Sequence, residues 1–140
     1  GGGGGLDSAD LTSGSFNSFI HARGLTLNGG TTRTVDFKFT TISNRTNTTL
    51  SALLNLAMSL YGSGEFTVTA KRGNDRQITR ILYVHDGTNV SSTQYGDVMT
   101  GPLLATYDFI VSGTNVVFQT ANTSSTSTQF KVQYTLYDGT

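Results

Sequence analysis

The sequence predicts an all-β protein, an antiparallel β-sandwich with a jelly-roll-like arrangement of strands. Apolar and polar residues alternate over many short segments, and turns rich in Gly, Asn and Ser separate these segments at intervals of about ten residues. Only 13% of the residues are charged, against roughly 25% in typical soluble domains. Threonine is abundant, and its β-branched side chain favours strands. Short alternating segments of this kind are typical of sandwiches and jelly rolls.

The chain of 140 residues is long enough to form one domain with its own core. Gly1 to Gly5 have no side chains with which to pack, and the polar residues that follow extend to Gly14. We therefore expect a glycine-rich linker or lead-in over 1–14. A single β-sandwich domain is predicted over 15–140.

The first strands are predicted between Ser15 and Thr41. Alternation begins at Ser15 and continues to Leu27, where Asn28-Gly29-Gly30 forms a strong turn sequence. Asparagine and glycine accept the positive φ angles that tight turns need. A half-buried strand follows over 35–41, with an apolar and a polar face.

The segment 50–61 fits two structures. Its apolar residues recur at helical spacing and predict a short helix that ends at Gly62. The same residues also fit a buried strand. The apolar positions are Leu50, Leu53, Leu54, Ala57, Leu60 and Tyr61.

The second half of the chain predicts strands in quick succession, over 66–70, 78–85, 95–99, 103–111, 116–120 and 129–136. Turns are expected at 73–75, at Asp86-Gly87 and at 112–115. Neighbours of opposite parity in a strand cannot all face inward. The core is predicted to draw on Phe37, Phe39, Phe66, Val68, Leu82, Val84, Phe109, Val117, Phe118 and Val132.

Charge excludes some partners. Nine basic and nine acidic residues give a net charge of zero, and the basic residues are scattered along the chain. The nearest approach to a cluster is Lys71, Arg72, Arg76 and Arg80, some of which we expect on a solvated hairpin loop. A nucleic-acid-binding protein normally has a basic face, so no nucleic-acid partner is predicted. No apolar run approaches about 20 residues, so membrane insertion is not expected.

No arrangement of residues indicates catalysis. Cysteine is absent, which removes thiolate chemistry and sulfur ligands for zinc. His21 and His85 lie in strand patterns without metal-binding spacing. Several acidic residues, such as Asp86, Asp97 and Asp138, lie beside glycines and fit turns better than a catalytic carboxylate pair. The sequence predicts no catalytic residue, no metal site and no cofactor, and therefore a protein that is not an enzyme.

Several stretches resemble the β-rich domains repeated in virion proteins of tailed bacteriophages, especially marine and cyanobacterial phages. The resemblance covers about Leu60 to Leu136. It implies a component of the virion, outside the cell, that assembles with copies of itself; it transfers no binding residues. The stretches are Arg80 to Thr88, Thr93 to Gly96, Leu104 to Phe109, Gly113 to Val116 and Phe130 to Val132.

The expected function is that of a tail-fibre or appendage domain that contributes to host-surface attachment. The expected partners are further copies of the chain, with a homotrimer favoured, other virion proteins, and a host-surface glycan or protein. A capsid decoration or structural connector without a receptor role is one alternative, and a carbohydrate-binding module is another. Tyrosines pack on cores but also stack on sugars and form interfaces. The candidate ligand or interface contacts are Tyr61, Tyr83, Tyr95, Tyr107, Tyr134 and Tyr137.

Overall fold

The computed structural model describes residues 24–26, 32–34 and 37–139, with side chains described over 38–139. The predicted linker over 1–14 and the predicted strand residues 15–23 lie outside the described residues, as does the side chain of Phe37. These predictions stay open.

The described part of the chain consists of strands and the turns that join them, without a helix. It contains no helix that is long and apolar enough to cross a membrane. In chain order the strands are β1 (Gly24–Thr26), β2 (Thr32–Thr34), β3 (Phe37–Arg45), β4 (Ser51–Ala57), β5 (Tyr61–Arg72), β6 (Asp75–His85), β7 (Val90–Met99), β8 (Ala105–Ser112), β9 (Asn115–Asn122) and β10 (Thr128–Asp138).

Two antiparallel sheets form the sandwich. The larger has five strands in the order β3-β10-β5-β6-β7, and the smaller has three in the order β4-β9-β8. β1 and β2 pair with each other in a separate two-stranded sheet. The all-β, two-sheet architecture predicted from the sequence is confirmed.

Two hairpins have glycine as the first residue of a two-residue loop. Gly73 lies between the paired residues Arg72 and Asp75, and Gly113 lies between Ser112 and Asn115. Both glycines have φ near +59°, a backbone conformation that side chains disfavour. Such loops match the twist of the strands that they join, so these glycines fix the register of β5 with β6 and of β8 with β9.

The core lies between the two sheets and is rich in aromatic rings. Phe66 of the larger sheet lies 5.4 Å from Phe109 and 5.0 Å from Phe118, measured between ring centroids, and these last two rings are 4.8 Å apart. Tilted and edge-to-face pairs at such distances are favourable beyond the area that they bury. Of the predicted core residues, Phe66, Val68, Phe109, Val117, Phe118 and Val132 are buried.

Three predicted core residues are instead exposed. Leu82 and Val84 retain 38% and 54% of their accessible surface, because they lie on the face of β6 that points away from the smaller sheet. Ile81 and Tyr83 take the core positions. β6 is apolar on both faces along this stretch, so alternation alone could not assign the inward side. Phe39 is 37% exposed: β3 lies at the edge of the larger sheet, and the smaller sheet has fewer strands with which to cover it.

The helix predicted as one option over 50–61 is wrong. Ser51–Ala57 form β4, and the chain turns over 58–60 into β5. The register with β9 shifts between Ala52 and Leu54, so Leu53 is an extra residue of a β-bulge. The extra residue interrupts the alternation of apolar and polar positions expected of a strand. The two consecutive leucines, Leu53 and Leu54, therefore give the segment the apolar spacing of a helix.

The buried side chain of Gln77 forms hydrogen bonds with the segment that connects the larger sheet to the smaller one. Gln77 Oε1 accepts hydrogen bonds from the backbone N–H groups of Leu104 (2.8 Å) and Ala105 (3.2 Å), and its Nε2 donates to the carbonyl oxygen of Ala105 (3.3 Å). Buried polar groups need such partners. The segment 100–104, which leads from β7 to β8, is thereby held against β6.

Candidate functional site

The face of the five-stranded sheet that points away from the core, here called the outer face, is not covered by any other element of the described chain. Strand register places its side chains in rows that run across the sheet. Thr40, Gln133, Thr67, Arg80 and Gly96 form one such row. Most outer-face residues are polar or basic, as is common for the solvated face of an antiparallel sheet.

Positive charge is concentrated on the outer face. The five basic side chains there are Lys38, Lys71, Arg76, Arg80 and Lys131. Glu65 is the one acidic residue at outer-face positions within 38–139. In the sequence these basic residues are scattered, and only strand parity and register bring them together. The face is therefore basic although the whole chain has no net charge.

Arg72, which the sequence groups with these residues, has a structural role instead. Its Nε donates to Thr128 Oγ1 (2.9 Å) and its Nη2 donates to the carbonyl oxygen of Leu104 (2.9 Å). The guanidinium group therefore links the end of β5 to β10 and to the segment that precedes β8.

A polar groove of about 390 Å³ crosses the outer face from β3 to β6. Short polar side chains, among them Thr40, Thr67 and Gln133, lie along it, while Lys38 and Arg80 lie on its outermost strands. Arg80 Nε donates to Thr67 Oγ1 at 3.4 Å. The groove thus offers hydroxyl and amide groups, which donate and accept hydrogen bonds, between two cations.

A second, apolar groove of about 440 Å³ adjoins the first. Leu82, Val84 and Tyr137 line it, with Ser91 and Thr93 at the side formed by β7. The hydroxyl group of Tyr137 donates to Glu65 Oε2 at 2.6 Å. Because Glu65 lines the polar groove, this bond marks the boundary between the two grooves.

The structure places two of the six candidate tyrosines outside the core. Tyr137 lines the apolar groove. Tyr95 is 46% exposed and lies where the register of β7 with β6 shifts, between Gly96 and Gln94.

The other four tyrosines pack in or against the core. Tyr83 stacks on Phe109 (5.0 Å) and Tyr107 on Phe118 (5.7 Å), while Tyr134 stacks on both Phe39 and Phe66 (5.1 Å each). Tyr61 packs at the edge of the core. Burial raises the pKa of Tyr83 to about 12, with a further contribution from nearby Tyr61, and burial also raises the pKa of Tyr107.

His85 and Asp86, which the sequence places at a hairpin, stabilise that hairpin. His85 Nδ1 accepts a hydrogen bond from the N–H of Gly87 (2.9 Å), so its Nε2 is the nitrogen that donates to the carbonyl oxygen of Tyr61 (2.6 Å). Asp86 Oδ1 accepts from the N–H groups of Thr88 and Asn89, and these bonds lower the pKa of Asp86. Among residues 38–139, no three His, Asp or Glu side chains are grouped so that they could hold a metal ion.

Among solved structures, the chain is similar to the tailspike protein of Acinetobacter phage vB_ApiP_P1, with a TM-score of 0.44 and 15% sequence identity. The alignment covers 94% of this chain and 25% of the tailspike chain. No protein-family model matches the sequence, and no curated protein matches it. The chain spans about a quarter of the length of the tailspike protein.

Proposed function

We propose that the chain is a non-catalytic structural domain of a tailed-phage virion, located in a tail fibre or appendage, and that it contributes to attachment to the host surface. The observation that carries the proposal is the outer face, a wide sheet surface that is basic and grooved and that no other element among the described residues covers. Its side chains project from hydrogen-bonded strands, so the backbone is already ordered and binding has to order only the side chains.

The resemblance of 60–136 to β-rich domains of phage virion proteins supports the same proposal. Short turns also suit a particle outside the cell. The described loops between β5 and β6 and between β8 and β9 have two residues each, which leaves little mobile backbone for proteases to cleave. Without cysteine, the fold does not depend on a redox environment.

Self-association is part of the proposal, through the outer edge of β7, with which no other described strand pairs. Tyr95, Val98 and Met99 are exposed there, and we call these three residues the β7 edge patch. Asp97 is the one charged residue of β7, and Thr79, Gln77 and Gln94 donate hydrogen bonds to its carboxylate. Edge strands commonly use charged residues to prevent pairing with other chains. The one charged residue of β7 is already engaged in these hydrogen bonds, so β7 has no charged side chain left to prevent such pairing. A homotrimer formed through β7 would leave the polar groove accessible.

Electron microscopy of particles from the source phage tests the location. Gold-labelled antibodies raised against the folded chain should bind tail fibres or appendages. The purified chain, added in excess to host cells, should also reduce adsorption of the particles. Labelling of the capsid without any effect on adsorption would favour a decoration or connector, and absence from particles would favour a carbohydrate-binding module of another protein.

A further inference from the structure

We infer that the polar groove binds an acidic polysaccharide, with Lys38 and Arg80 contacting its anionic groups. This inference names the ligand class of the attachment function proposed above and rests on it. It starts from the charge of the outer face, where five basic side chains accompany a single carboxylate. Glu65, that carboxylate, already accepts a hydrogen bond from Tyr137. A negatively charged ligand is therefore complementary to the face.

The separation of the two cations favours a polymer over a single sugar. Lys38 lies on β3 and Arg80 on β6, and β10 and β5 lie between them. Register places Leu82, not Arg80, in the same row as Lys38, and Arg80 lies two residues further along β6. With strands about 4.8 Å apart and about 3.4 Å per residue along a strand, the backbones of Lys38 and Arg80 are separated by roughly 16 Å. A ligand of several sugar units can reach both charged groups while it lies along the groove.

The side chains between the cations favour a saccharide over other polyanions. Thr40, Thr67, Thr135 and Gln133 present hydroxyl and amide groups, which match the many hydroxyl groups of a sugar chain. Proteins that bind single-stranded nucleic acids rely on aromatic rings for stacking on bases. The lining of the polar groove does include Phe39 and Tyr134, but these two rings stack on each other, and Tyr134 also stacks on the core residue Phe66. They are therefore already engaged within the fold.

The polar groove also differs from a typical protein-binding surface. Protein interfaces are enriched in aromatic residues and depleted of lysine at their centres. Three threonines, Lys38 and Arg80 are five of the nine residues that line the polar groove, whereas the exposed apolar residues Leu82 and Val84 line the neighbouring groove. Arginine and lysine form charge-assisted hydrogen bonds with anionic groups.

Binding of the purified full chain to polygalacturonate and to dextran sulfate tests the inference, with neutral dextran and a polythymidine oligonucleotide as comparisons. We expect measurable binding to at least one acidic polysaccharide and none to neutral dextran. Losing a charge-assisted contact weakens binding by roughly tenfold or more. The double variant K38Q/R80Q should show at least that loss.

The double variant K71Q/R76Q is the matched control. It removes the same charge from the same face, but neither residue lines the groove, so a loss of only about threefold or less is expected from reduced long-range attraction. Both pairs are exposed, and equal melting temperatures would show that both variants fold. Equal losses in the two variants would overturn the groove assignment in favour of unspecific attraction. Tighter binding of the oligonucleotide, or absence of binding to both acidic polysaccharides, would overturn the ligand class.

These results separate the inference from the proposed function. Gold labelling of tails without binding to either acidic polysaccharide would leave the attachment role in place and remove the ligand class. Binding of an acidic polysaccharide that depends on Lys38 and Arg80, by a chain that is absent from particles, would support the ligand class and contradict the attachment role.

Discussion

Tyr83 and Tyr107 bring hydroxyl groups into the core, and neither group has a hydrogen-bond partner in the described structure. An unpartnered buried hydroxyl costs about 1–3 kcal/mol. Their rings offset this cost by stacking on Phe109 and Phe118. At these two positions the ring stabilises the fold, and the hydroxyl group does not.

We therefore expect Tyr83→Phe to leave the free energy of unfolding at neutral pH unchanged or to raise it. The substitution should also reduce the loss of stability in alkali. The pKa of Tyr83 rises from 10.0 to about 12 in the folded protein, so the protonated form is favoured on folding. The stabilisation that results from this difference in pKa between the folded and unfolded states is fully present below pH 10 and is lost as the pH rises towards 12. Urea unfolding over this pH range measures the effect.

Tyr95→Phe is the control for this prediction, because Tyr95 is exposed at the edge of the sheet and its hydroxyl group lies outside the core. A loss of more than about 2 kcal/mol at neutral pH in Tyr83→Phe would contradict the prediction, since a loss of that size indicates a hydrogen-bonded hydroxyl.

Residue positions could be predicted where one face of a strand is clearly apolar. Phe66 and Val68 alternate with Thr67 and Thr69 in β5, so their burial follows from the sequence. β6 carries apolar residues on both faces over 81–84, and only its packing against the smaller sheet decides between Ile81 and Leu82. The exposure of Leu82 and Val84, which produces the apolar groove, therefore could not be predicted.

At the level of the element, β5 depends on a glycine for its close contact with the core. A Cβ atom at Gly64 would lie 2.7 Å from Tyr83 Cε1 and 3.0 Å from both Leu136 Cδ2 and the carbonyl oxygen of Thr135. The backbone of β5 is thus packed directly against side chains of β6 and β10. The structure of β4, by contrast, could not be predicted from its own residues. The bulge at Leu53 gives its apolar residues the spacing of a helix, and only pairing with β9 makes the segment a strand.

Gly64→Ala should therefore destabilise the protein by about 1–3 kcal/mol, the usual cost of overpacking a core. Gly96→Ala is a matched control in the same sheet, because a Cβ atom there would meet only Arg80 Cβ at an ordinary 3.9 Å. Chemical denaturation of the two variants gives the comparison. A Gly64→Ala variant as stable as Gly96→Ala would show that the ring of Tyr83 can move aside without cost.

At the level of the whole molecule, the sandwich is asymmetric. Five strands face three, so the edge strands β3 and β7 extend beyond the smaller sheet, and most of their residues are exposed. The strands, the turns and the two-sheet architecture followed from local alternation and turn sequences. The basic outer face did not, because it depends on which strands are neighbours and in which register they pair.

We predict that the chain is a homotrimer in solution, or another symmetric oligomer, with an interface of at least about 800 Å² per partner. Val98 is 68% exposed, and Val98→Lys should place a charge within the β7 edge patch and shift the protein towards the monomer. Light scattering at micromolar concentrations measures the shift. Asn44→Lys adds the same charge on β3, at the opposite edge of the sheet, and should leave the oligomer intact. A wild-type chain that stays monomeric would contradict the prediction and favour the decoration or binding-module alternatives.

In the five-stranded sheet, alternate residues of one strand are subject to different constraints: the buried residues are constrained by packing, and the exposed residues are not. Thr67 and Arg80 project to solvent, while the neighbouring residues Phe66, Val68, Thr79 and Ile81 are buried. Surface substitutions away from buried contacts usually change stability by less than about 0.5 kcal/mol. Sequence change on one side of the same strands can therefore alter the exposed surface with little change in stability, while the other side stays fixed by packing. Under the proposed attachment function, a lineage of such domains would follow a changing host surface through single substitutions, each of which leaves the fold intact.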